Sequence, residues 1–182
     1  MPGAVLASLL TLSYPFLIYF GQGWVEPRLL AAALIAVALL RALSARQTVW
    51  YWAAGATLLL ALSSILGNDL LPLKLYPLLV NAVLFALFAG SLRFGPPIVE
   101  RLARLTEPGL DDAGIRYTRT VTQVWCGFFI VNGTLSLATA LWADNAVWTA
   151  YNGCVSYLLM GALFGGEWMV RRRVKSRNTA NG

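Results

Sequence analysis

Residues 120–142 read TVTQVWCGFFIVNGTLSLATALW. The run holds no Asp, Glu, Lys or Arg, and it is bounded by Arg119 on one side and by Asp144 just beyond the other. A helix rises about 1.5 Å per residue, so about 20 such residues cross the ~30 Å hydrocarbon core of a bilayer. The run therefore predicts a membrane-spanning helix, because in lipid each backbone polar group must be satisfied within the segment or within a closed barrel. Ala143, Asp144 and Asn145 read as a tight turn after it.

Outward from this run, five more apolar stretches follow the same pattern, at roughly residues 4–21, 29–43, 50–66, 75–92 and 147–170. The 182-residue chain is 58% hydrophobic and 12% charged. Soluble domains carry about 25% charged residues. The expected fold class is all-α: one polytopic bundle of six transmembrane helices over residues 1–170, followed by a disordered basic tail, 171–182. No Lys or Arg precedes the first stretch and no small-residue cleavage pattern follows it, so it reads as a retained span.

The positive charge sets the expected orientation. Of 14 Lys and Arg residues, only Arg28 and Lys74 fall on one side of the implied membrane. Arg41 and Arg46, then Arg93, Arg101, Arg104, Arg116 and Arg119, then Arg171, Arg172, Arg173, Lys175 and Arg177 fall on the other. Basic loops stay cytoplasmic, which places both termini on the cytoplasmic side. The net charge of +6 fits anionic headgroups. It does not point to nucleic acid, since no basic face with interleaved aromatics lies outside the spans.

The longest segment between spans is the cytoplasmic linker 93–119. Phe94, Gly95, Pro96 and Pro97 end span 4, because proline cannot continue the helical hydrogen-bond ladder. Ile98, Leu102 and Leu105 then recur at helical spacing, with Glu100, Arg101 and Arg104 on other faces. This predicts a short interfacial amphipathic helix between spans 4 and 5. Glu107, Pro108, Gly109, Asp111 and Asp112 read as a solvated acidic loop. Arg116, Arg119 and Gln123 share one helix face, so span 5 is expected to begin as a cytoplasmic extension.

The inventory for catalysis is thin. The chain has no His, so acid–base or metal chemistry lacks its commonest group. Its two cysteines, Cys126 and Cys154, fall inside spans and read as small buried side chains. No catalytic residue, cofactor site or metal site is expected. Intramembrane polar residues are the default site candidates. The deep ones are Asn81, Asn132 and Asn152, on spans 4, 5 and 6, with weaker polarity at Gln123, Thr134, Ser136, Thr139, Ser156 and Tyr157. They read either as interhelical hydrogen-bonding residues or as a ligand site. Asn132–Gly133–Thr134 matches a glycosylation sequon but lies within a span. Glu167 is expected to pair with Arg171 at i, i+4. Gly161/Gly165 and Ala86/Gly90 are small-xxx-small patterns that permit close helix packing, within one chain or in a homo-oligomer. Tyr14–Pro15 and Tyr76–Pro77 form a faint internal echo on spans 1 and 4, as an inverted repeat would give.

Several motifs together resemble a bacterial family. They are Ala86–Leu92, Phe94–Gly95–Pro96–Pro97 with Glu100 and Arg101, Tyr117–Arg119, and Val121–Phe129 with Gln123 and Trp125, then Asn132. The resemblance is to uncharacterised inner-membrane proteins encoded beside acyl carrier proteins, ketosynthases and acyltransferases of aryl-polyene-type and fatty-acid clusters. More distantly, Asn68–Asp69 and Ala89–Gly90 are similar to motifs of the intracellular septation protein A family. The resemblance covers roughly residues 10–173 and brings no catalytic residue. It implies an envelope-lipid context, and its motifs map a candidate functional surface onto Phe94, Gly95, Pro96, Pro97, Glu100, Arg101, Arg119, Gln123, Trp125 and Asn132; the basic charge of the linker adds Arg104 and Arg116.

Three functions are compatible with these features. A non-enzymatic accessory protein would dock acyl carrier protein or acyl-chain enzymes through the basic linker. A structural envelope or septation protein would assemble laterally through its glycine faces. A small transporter or flippase would use the asparagines on a lipid intermediate.

Overall fold

A computed structural model describes residues 15–21, 25–44, 48–67 and 69–180, with side chains described except at 37–44, 48–50, 52 and 172–180. No strand occurs among these residues. The helices are α1 (15–21), α2 (Pro27–Ser44), α3 (Thr48–Gly67), α4 (Leu71–Lys74), α5 (Tyr76–Arg93), α6 (Ile98–Thr106), α7 (Asp112–Trp142), α8 (Asn145–Ala150) and α9 (Ser156–Ala180). A single π-helical turn, Tyr151–Val155, joins α8 to α9. Tyr14, Arg46 and Asn68, which figure in the expectations above, lie outside the described residues.

Three helical stretches are long and apolar enough to cross a membrane: Leu71–Arg93, Asp112–Trp142 and Asn145–Arg171. This fits an all-α membrane protein. Six such stretches are not found among the described residues; within α2 and α3 the apolar runs whose side chains are described are Pro27–Ala36 and Ala53–Gly67.

At 31 residues, α7 is about 46 Å long and overshoots that core, leaving its first turns as an extension. Asp111 caps it, its Oδ1 accepting 2.8 Å from the Gly114 N–H. Asp144 caps α8 in the same way through the Val147 N–H. Each cap satisfies an orphan donor of the first turn. Asp111 therefore belongs to a helix terminus rather than to a featureless acidic loop. The basic tail also differs from expectation: helical backbone continues to Ala180.

α5 packs along α7, α2 along α3, and α3 also touches α5. One buried cluster joins Ile18, Leu30, Leu34, Leu73, Tyr76 and Trp148. A second, around Val121, Trp125 and Phe129, lies toward the other end of α7. The α5–α7 crossing is close at Gly133, where an added Cβ would stand 3.2 Å from the Asn81 Cβ. At Gly90, Gly161 and Gly165 an added Cβ would meet nothing within 4 Å. The small-residue patterns therefore do not mark packing inside this chain, while Gly133 against Asn81 and Gly153 against Phe16, both outside those patterns, do.

Gly95 turns the chain from α5 into α6 with φ of +134°, which L side chains rarely adopt. α6 lies on α7 and turns Glu100 and Ala103 inward. Leu102 and Leu105 remain exposed on it, 58% and 80%. That is the side an interfacial helix presents to lipid.

Candidate functional site

The intramembrane asparagines are buried, and two of them meet. Asn132 Nδ2 on α7 donates 3.0 Å to Asn81 Oδ1 on α5. Asn81 Nδ2 donates 2.8 Å to the Pro77 carbonyl of its own helix. Tyr151 then donates its hydroxyl, 2.9 Å, to Asn132 Oδ1. Asn152 does not join this chain directly. Its Oδ1 accepts 2.7 Å from Ser136, one turn along α7 from Asn132, and its Nδ2 donates to Thr139 Oγ1 at 3.3 Å and to the Trp148 carbonyl at 3.0 Å. Each of the three amides thus uses both its donor and its acceptor.

The π turn explains how Tyr151 and Asn152 both reach α7. An extra residue in one turn shifts the side-chain register, and such turns concentrate at functional positions. Tyr151 was not among the polar candidates read from the sequence, since π turns have no strong sequence signature. Tyr157, which was, lines a cavity of about 60 Å³ together with Asn81, Asn132 and Asn152. Pro15 and Pro77 line the same cavity. A water occupies at least about 10–15 Å³ by the same measure, so the space suits a few waters and not a lipid. Gln123 is exposed, and Thr134 returns its hydroxyl to the Ile130 carbonyl of its own helix.

The residues of the candidate functional surface divide into exposed and interior ones. Phe94 is 82% exposed, and Pro96, Arg101, Arg104, Arg116, Arg119 and Gln123 are exposed as well. Pro97, Glu100, Trp125 and Asn132 are buried and cannot form a docking face. Three of the arginines are also tied to the scaffold. Arg104 pairs with buried Glu100 at 2.8 Å. Arg101 Nε donates 2.8 Å to the Pro96 carbonyl. Arg119 Nη2 donates 3.2 Å to the Leu92 carbonyl, capping the negative end of α5. Arg93 and Arg116 complete an exposed basic rim at this end.

Beneath the rim, Trp125 sits among aromatic rings, its centroid 4.6 Å from Phe164, 5.6 Å from Phe128 and 5.7 Å from Phe129. Above them the expected Glu167–Arg171 pair is replaced. Arg171 Nη2 approaches Glu107 Oε2 at 3.8 Å. Glu167 instead lends its backbone carbonyl to the Tyr117 hydroxyl at 3.1 Å. At the opposite end of α5, Lys74 is buried, with its Nζ 5.9 Å from the Trp148 ring centroid. The Trp148 Nε1 donates 3.2 Å to the Lys74 carbonyl.

Cys126 is buried and Cys154 exposed, both as free thiols. Among the described residues, no three His, Cys, Asp or Glu side chains gather as metal ligands. No family model, curated protein or solved structure matches the chain.

Proposed function

We propose that this protein is an integral-membrane accessory protein, non-enzymatic, that supports synthesis or handling of an envelope lipid or aryl-polyene-type acyl product. It does so by docking a soluble acyl-chain enzyme or carrier protein at the inner leaflet. The carrying observation is the exposed rim of Arg93, Arg101, Arg104, Arg116 and Arg119 around the exposed apolar side chains of Phe94, Leu102 and Leu105. Apolar prongs hold this end at the lipid boundary, and the arginines attract a partner of opposite sign. Acyl carrier proteins are acidic, and the resemblance to a family encoded beside them supports that partner.

In this reading the chain crosses the bacterial inner membrane six times, with both termini cytoplasmic. α1, α2 and α3 belong to the first three crossings, and the distribution of Lys and Arg supports the orientation. The absence of His from the sequence favours a role without acid–base chemistry.

The test is capture of an acyl carrier protein by the purified chain. The informative variant combines Arg93→Glu with Arg116→Glu, which leaves the scaffold bonds of Arg101, Arg104 and Arg119 in place. Capture is expected from the parent protein and lost from the variant. Equal capture by both would overturn the docking reading.

One observation favours a second reading, lateral self-assembly. Gly161 and Gly165 face open space on α9, beside exposed Leu158 and Trp168. A helix from a second copy could approach closely there. Native mass spectrometry showing only monomer at micromolar concentration would remove it. The transport reading has less support, because the asparagine cavity is small and its amides are already bonded.

A further inference from the structure

A cleft of about 380 Å³ opens between α5, α6, α7 and α9, at the end that carries the basic rim. Its walls include Phe88, Val99, Leu102, Trp125, Phe129 and Phe164. The volume lies in the range of ~300–1,000 Å³ typical of sites for small organic ligands. Leu102 and Phe164 are more than half exposed, so the cleft is open along its side. An apolar cleft open to a bilayer is filled by what the bilayer supplies, an acyl chain.

The charged groups on its lining narrow the occupant. They are Glu167 and Arg171, one helical turn apart on α9. Arg171 meets Glu107 only at 3.8 Å, with both side chains more than a third exposed. Such a contact is weak and readily exchanged for a phosphate. Glu167 takes part in neither ion pair found among the described residues. A lipid head with an anionic phosphate and a cationic amine complements both. An anionic head would leave Glu167 facing no cation. A quaternary ammonium has no N–H to donate to it.

We infer that this cleft holds one acyl chain of an amine-headed zwitterionic phospholipid, with its phosphate at Arg171 and its ammonium at Glu167. The inference rests on the reading that this end of the protein handles acyl chains at the leaflet, and it names the lipid class involved.

The test titrates the full chain, purified in detergent, with ethanolamine-, choline- and glycerol-headed phospholipids of identical acyl chains. Native mass spectrometry reads one-to-one adducts. The ethanolamine lipid is expected to bind at about tenfold lower concentration than the other two, the factor for about one charge-assisted hydrogen bond. Glu167→Gln should erase that preference. Val99→Trp should fill the cleft and lose the adduct, and Met160→Trp fills it from another wall should the first variant melt early. Equal binding of all three lipids by the parent would overturn the inference. So would a preference that survives Glu167→Gln, or adducts undiminished in a folded cleft-filling variant. Failure here with carrier capture intact leaves the docking reading standing. A retained lipid preference with no arginine-dependent capture overturns the docking reading alone.

Discussion

Asn132 and Asn81 lie 51 positions apart in sequence and share a 3.0 Å hydrogen bond that fastens α7 to α5. The bond forms beside Gly133, where an added Cβ would stand 3.2 Å from the Asn81 Cβ. Small residues and amide pairs supply the attraction between helices in lipid, where the hydrophobic effect does not.

Replacing Asn132 with Leu should remove this bond and the one from Tyr151, leaving the Asn81 oxygen and the Tyr151 hydroxyl unpaired. Individual bonds of this type contribute about 0.6–1.7 kcal/mol in a membrane. Asn132→Leu and Asn81→Leu, with their double variant, should show a coupling energy in that range by reversible unfolding in bicelles. Additive effects would show that the amides do not interact.

Gly133→Leu should be the most damaging glycine substitution in α7, because its side chain would enter α5 at Asn81. Overpacking of this kind costs about 1–3 kcal/mol or more. Gly161→Leu, placed in open space, should leave the monomer's melting temperature unchanged. The two melts in one detergent make the comparison.

Trp148 is fully buried and bonds the Lys74 carbonyl, where α4 passes into α5. Trp148→Ala should cost about 3–5 kcal/mol through the cavity it leaves. Trp148→Phe should cost less, since it loses the N–H donor but keeps most of the packing. A thermal melt of the two variants beside the parent checks the order.

Capture of a carrier protein by the arginine rim should fall steeply with salt. The screening length shrinks from about 10 Å at 0.1 M to about 3 Å at 1 M. Binding measured across that range should weaken by more than tenfold. Salt-independent capture would assign the contact to Phe94, Leu102 and Leu105 instead.

Much of the architecture was legible because it rests on composition along the chain. The uncharged run of α7 and the spacing of Leu102 and Leu105 on α6 both follow from local sequence. Two features depend on geometry that local sequence does not specify. The π turn at Tyr151–Val155 decides which residues of α8 and α9 face α7, so Tyr151 entered the polar network unannounced. The partner of Arg171 is Glu107, across a loop, rather than Glu167 on its own helix, because α6 and its C-terminal loop fold back toward α9. The surface read through the family resemblance mixed exposed Arg101 with buried Trp125 and Glu100. A linear motif records which residues recur together and not which way each one turns.

Docking of a soluble partner requires that the basic end face the cytoplasm. The most direct test uses a variant with Cys126 and Cys154 replaced by Ala, carrying one new cysteine at Gly109, exposed in the loop between α6 and α7, or at Ala146, exposed at the start of α8. A membrane-impermeant thiol reagent is applied to intact spheroplasts and, separately, to lysed membranes. Ala146→Cys should react in both and Gly109→Cys only after lysis. Reaction of Gly109→Cys in intact spheroplasts, with Ala146→Cys protected, would overturn the orientation and the docking reading with it.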